Sequence, residues 1–111
     1  MSRVMSSGTE ALLERLDGGF VQLYAGSELL AQMRFSSPAF GPVEDGFALA
    51  NDIMVGTGRA EGLAEKWVAM SADGVPVLAG EVGDDMLISQ RYIANGAEVR
   101  ITRFSYQQEQ A

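Results

Sequence analysis

The only residues in this chain that are grouped closely enough to do chemistry are its carboxylates. Glu44-Asp45, Asp84-Asp85 and Glu81 could supply the acid and base of a glycosidase, which needs two carboxyls facing each other across a cleft. Adjacent acids beside Gly46 and Gly83 read more simply as solvated turn residues, because Asp followed by Gly is common turn chemistry. Hard cations take carboxylate and carbonyl oxygens, so a calcium site at Glu81, Asp84 and Asp85 stays open, although the spacing matches no defined loop. Histidine and cysteine are both absent, which removes Ser-His and Cys-His nucleophilic schemes, zinc-thiolate sites and disulfides together. No catalytic constellation and no cofactor are expected.

Three further groupings invite a functional reading. "GTGRAEG", residues 56–62, resembles a phosphate cradle but lacks the Lys-Ser/Thr ending of a P-loop, and it reads as a flexible surface loop or a helical turn. Arg91, Arg100 and Arg103 could form a basic patch, yet period two puts Arg100 on a face with Thr102 and Phe104 and points Arg103 the other way. Trp67 with Phe20, Tyr24 and Phe104 could line a platform for sugar stacking. Core packing is the commoner fate of one tryptophan in a small β domain, and Trp67, Val99 and Ile101 are expected in the core. An open, acid-rimmed pocket lined by Trp67 and Phe40 would instead indicate substrate handling.

These residues must be positioned by elements built from 111 residues, enough for one domain. Hydrophobic residues make up 47% and charged residues 21%, a globular balance. So apolar a small chain leaves surface for a partner subunit, and homo-oligomerisation is expected. Eight Lys and Arg against 15 Asp and Glu leave a net charge of −7, which repels a phosphate backbone, so nucleic acid is not an expected partner. The first eight residues lack an apolar h-region and no run approaches the ~20 apolar residues of a membrane span, so neither secretion nor membrane insertion is signalled.

Ser7-Gly8-Thr9-Glu10 has capping-box spacing, and the leucine stripe after it predicts a helix of two to three turns stopped by Gly18. From residue 20 the apolar period becomes two. Strands are predicted at 20–25, 28–35, 47–50, 53–55, 63–71, 75–82, 86–89 and 99–106, with tight turns at 25–27, 72–74 and 95–96. In the second strand Leu29, Ala31, Met33 and Phe35 form one face, leaving Leu30 on the mostly polar one. About eight short strands after one helix predict an all-β, β-sandwich or jelly-roll-like domain over 9–106. An N-terminal arm, 1–8, and a C-terminal tail, 107–111, flank it.

"FSSPAFGP", residues 35–42, interrupts this alternation and holds two of the three prolines. Pro38 and Pro42 each fix φ and remove a donor, which ends strand pairing; Phe40 can turn inward and Gly41 can let the chain reverse. Pro38, Phe40, Gly41 and Pro42 therefore read as a structural corner, with a ligand lip as the alternative.

Taken in order, "LLAQMRFSSPAFGPVEDGFALAN", "EKWVAMSADGVPVLAGEVG" and "YIANGAEVRITRF" resemble a family of short proteins encoded among the virion genes of tailed bacteriophages and prophages. The family pattern runs S-x-P-A-F-G, then a tryptophan before A-S-D-G, then G-x-x-V-x-I-x-x-F. Ser37, Pro38, Ala39, Phe40 and Gly41 carry it here, followed by Trp67, Ser71, Asp73 and Gly74, then Gly96, Val99, Ile101 and Phe104. Glu44, Asp45, Glu65 and Lys66 depart from the family's Ala/Thr-rich middle.

The resemblance implies a non-enzymatic structural protein of a tailed-phage virion, assembled in the host bacterial cytoplasm. It points to a capsid decoration or cement protein with the major capsid protein as partner. A neck, tail or fibre-attachment protein is the alternative within that class, and a carbohydrate-binding or adhesion module is the alternative outside it. Val4, Met5, Leu30 and Phe40 are the expected contact residues.

Overall fold

Residues 11–107 are described by the computed structural model, and residues 11–14 open them as a helix. Beyond Glu14 the bonds tighten to three-residue spacing, Leu16 N–H to Leu13 at 3.0 Å and Gly19 N–H to Leu16 at 2.8 Å. The last part of the expected helix is therefore a tight turn. Leu13 and Leu16 are buried, as a short helix requires, since so few turns are stable only when docked. The capping-box residues, Val4 and Met5 lie outside the described residues, as does the tail beyond Gln107.

Period-two alternation then produces a four-stranded antiparallel sheet in the order β2-β1-β6-β7, from β1 (Phe20–Ala25), β2 (Glu28–Arg34), β6 (Lys66–Met70) and β7 (Pro76–Glu81). Its inner face is a grid of buried partners: Val21 sits between Met33 and Ala69, and Leu23 between Ala31 and Trp67. A second, three-stranded sheet has β11 (Ile101–Gln107) between β3 (Phe47–Leu49) and β8 (Met86–Ile88), and buries Ala48, Met86 and Phe104. The layers meet where Trp67 stands edge-on to Phe104, ring centroids 4.8 Å apart, with Phe35 stacked on Phe104 at 6.0 Å. Each such ring pair adds about 0.5–1.5 kcal/mol beyond its buried area. The domain is all-β.

Eleven strands occur among the described residues rather than about eight. The stretch expected as one strand at 63–71 breaks at Ala64-Glu65, and the last strand breaks at Arg100. The pieces make two small ribbons: β4 (Gly56–Thr57) with β10 (Glu98–Val99), and β5 (Gly62–Leu63) with β9 (Tyr92–Ile93). Residues 53–55 keep only a single bridge, Ile53 to Phe35.

"GTGRAEG" is neither a helical turn nor a free loop. A Cβ on Gly56 would stand 2.5 Å from Met33 Cγ, and one on Gly62 would stand 3.1 Å from Leu30 Cδ2, so these glycines let the segment lie directly on β2. That contact corrects the expectation for Leu30. Pairing slips by one residue between Leu23/Ala31 and Tyr24/Leu29, so Leu30 is the extra residue of a bulge. Residues 59–62 cover it, and it is fully buried with no surface to offer a partner.

Candidate functional site

The corner at 36–43 is held from both sides. Asp17 Oδ1 accepts the Ala39 N–H at 2.7 Å, and Asn51 Nδ2 donates to the Pro38 carbonyl at 3.0 Å. Ser36 Oγ donates to the Asp52 carbonyl, and Gly18 N–H reaches Ser36 O at 3.4 Å. The Ser37–Pro38 peptide is cis. Strand pairing resumes at once, because Phe40 bridges Ala50 and Gly41 N–H donates to Leu49 O at 2.8 Å. Gly41 does not adopt a left-handed φ, and a Cβ there would meet only ordinary contacts. The reversal therefore does not depend on its being glycine. Phe40 points inward and is buried against Phe35 and Phe104, at centroid distances of 6.1 and 5.4 Å.

Outside this corner lies a depression of about 570 Å³, walled by Leu13, Pro38, Phe40, Pro42 and Val43 and edged by Glu14 and Asp17. Trp67 does not line it. The indole is instead buried in the sheet beside Gly80, where an added Cβ would stand 2.7 Å from its ring. Among the described residues the Trp67 Nε1–H has no hydrogen-bond partner. With Trp67 and Phe104 both buried, the four aromatics make no common platform; only Phe20 and Tyr24 stay half-exposed on the outer face of β1. There the Tyr24 hydroxyl donates to Gln22 Oε1 at 2.6 Å and Gln22 Nε2 to Gln32 Oε1 at 2.9 Å. Val99 is buried, and Ile101 packs against the core from a partly exposed position.

The acids do not converge. Glu44 and Phe47 flank a two-residue hairpin loop, Asp45-Gly46, the N–H of each flanking residue bonding the other's carbonyl at 2.9 Å. Glu81, Asp84 and Asp85 are exposed around the turn at Gly83. Among the described residues no group of three or more acids could hold a metal ion. In "GTGRAEG" two central amides that a phosphate cradle would use are already taken: Gly58 N–H bonds Ala97 O at 2.7 Å and Arg59 N–H bonds Leu30 O at 2.7 Å. Tyr92 is exposed, and the Glu61 carboxylate beside it raises its phenol above the ordinary 10.0.

The arginines are arranged otherwise than period two implied. Arg91 is turned onto the Ala64 carbonyl, with Nε at 3.3 Å and Nη2 at 3.2 Å. Arg100 and Arg103 line one cleft of about 530 Å³ between 50–55 and β11. A register slip between Ile101 and Arg103 changes the parity of the strand and brings them together. Arg100 is tied to Glu98 at 2.8 Å, an exposed pair.

Exposed apolar side chains lie beside this cleft. Met54 and Val55, on its wall, are 63% and 42% exposed. On the outer face of the adjoining sheet Leu49 lies opposite Ser105 and Leu87 opposite Arg103, and both leucines are exposed. Arg103 joins cleft and face. Sequence reasoning missed this surface because its parts come from segments about fifty residues apart that meet only through β11.

Among the described residues no helix is long and apolar enough to cross a membrane. In comparisons with known proteins, no family model, no curated protein and no solved structure matches the chain.

Proposed function

We propose that this chain is a non-enzymatic structural subunit of a tailed-phage virion, a capsid decoration protein that grips the major capsid protein. Its grip is the surface formed by Leu49, Leu87, Met54 and Val55 around Arg103. The observation that carries this reading is the gathering of exposed apolar side chains there, while the rings best suited to stack a sugar are buried in the core. Contiguous exposed apolar surface marks protein-protein contact, and arginine beside it is the usual companion. The family resemblance supplies the virion setting.

Cosedimentation with DNA-free capsids of the encoding phage or prophage tests the reading. A Leu49→Asp/Leu87→Asp variant should lose at least about tenfold in capsid affinity, one such step being about 1.4 kcal/mol, with unchanged thermal unfolding. Unaltered binding would reject the surface. A copy number matching the capsid lattice supports decoration, and one matching a single ring would move the protein to the neck or tail.

A further inference from the structure

The cleft beside Arg103 is a gap between two chain segments that stay paired at both of its ends. At one end Ala50 N–H donates to Phe104 O at 2.8 Å; at the other Gly56 of β4 pairs with Val99 of β10. Between those points the segments turn their hydrogen bonds away from each other. Met54 N–H bonds Arg34 O at 2.9 Å and Ile53 bridges Phe35, while Ile101 and Arg103 pair with Ile88 and Leu87 of β8. The fold itself thus closes the gap, about 530 Å³, at either end. A strand laid lengthwise has no way out of it, whereas one side chain can enter from the open side.

The lining selects the side chain. Arg100 and Arg103 lie on the side formed by residues 100–104, and exposed Met54 and Val55 on the other. A guanidinium only donates hydrogen bonds, and its fork matches a carboxylate. Arg100 gives Nη2 to Glu98 Oε2 at 2.8 Å, the one ion pair among the described residues. The Arg103 guanidinium makes no hydrogen bond or ion pair among the described residues, although the chain holds 15 Asp and Glu to eight Lys and Arg. Asp52, across the gap, lies outside ion-pair distance of both arginines.

We propose that the gap receives one acidic side chain of the protein's partner, the carboxylate held by Arg103 with Arg100 beside it and the aliphatic stem lying on Met54 and Val55. Such a side chain uses both sides of the gap; an inorganic anion would use one. Glu98 competes for Arg100 and Asp52 opposes further anions, which keeps the site to a single negative charge. The net charge of −7 repels a polyanion. The inference rests on the assembly reading for there being a partner and deepens it by naming what the partner presents.

Cosedimentation of the full chain with DNA-free capsids gives the first test. Arg103→Gln should weaken binding at least about tenfold. Glu98→Gln, which frees Arg100, and Asp52→Asn should each strengthen it about two- to fivefold. All three side chains are exposed, so unfolding midpoints should stay in place, and a merely structural role does not predict tighter binding. Titration of the full chain with acetyl-Leu-Glu-Leu-amide is the second test: it should shift the Arg103 Nε–H and Met54 methyl resonances, and the Gln analogue should not. Unchanged capsid binding by Arg103→Gln, with the Leu49→Asp/Leu87→Asp variant still defective, overturns the inference and leaves the assembly reading standing. A chain that ignores capsids overturns the assembly reading and leaves the peptide to decide the gap. Equal shifts from the Gln analogue, equal shifts from inorganic phosphate, or none from the Glu peptide overturn the acidic side chain.

Discussion

Trp67 shows how one residue can be central to packing and still imperfect. Its ring meets Phe104 edge-on, lies against Gly80, and leaves a buried indole N–H without a partner among the described residues. A buried donor without an acceptor costs about 1–3 kcal/mol. Trp67→Phe removes that donor along with some packing, so it should cost under about 2 kcal/mol, whereas Trp67→Ala, which opens a cavity, should cost about 3–5 kcal/mol. Urea unfolding midpoints check the pair, and equal losses would mean the N–H is satisfied. Gly80→Ala should cost about 1–3 kcal/mol by forcing the ring aside. That Trp67 belongs in the core was legible from its type, since a lone large aromatic in a small β domain is usually packed inside. That Gly80 is the residue making room for it was not, because the contact is across strands.

At the scale of elements, the two-residue turns are the most local devices in the fold. Asp45 and Gly46 both have positive φ, 54° and 76°, as a type I′ hairpin demands. Asp-Gly is a strong short-range hairpin signal, yet the sequence reading took these acids only as solvated turn residues or possible catalysts, and the hairpin itself was not anticipated. Gly46→Ala should destabilise the domain by about 1–2 kcal/mol, the cost of a left-handed backbone with a Cβ, read as a lowered thermal midpoint. Asp45→Gly should leave that midpoint unchanged or raised. Strand β1 was legible to the residue because its Val21 and Leu23 alternate cleanly. The breaks at Ala64-Glu65 and Arg100 were hidden, since a strand changing partners keeps its apolar pattern while its hydrogen bonds move to another layer.

For the whole molecule, the decisive pairings are distant ones: β1 with β6, β4 with β10 and β3 with β11. Loop closure must precede such contacts, so folding should be slow for the chain's size, about milliseconds to seconds in stopped-flow mixing. Trp67 fluorescence and strand circular dichroism should change together, because the two layers share one core at Trp67 and Phe104. Separate phases would mean that the layers form independently.

Composition and period two by themselves determined the all-β class, the first hairpin, the tight turns and the placement of Trp67 and Val99 inside, because each depends on residue type or on neighbours along the chain. Only the tertiary structure decided that Leu30 is sealed under the glycine-rich segment and that Arg100 and Arg103 share a cleft. These depend on bulges and on which strand lies beside which. A one-residue slip in pairing reverses the face a side chain occupies without changing the apolar pattern along the chain.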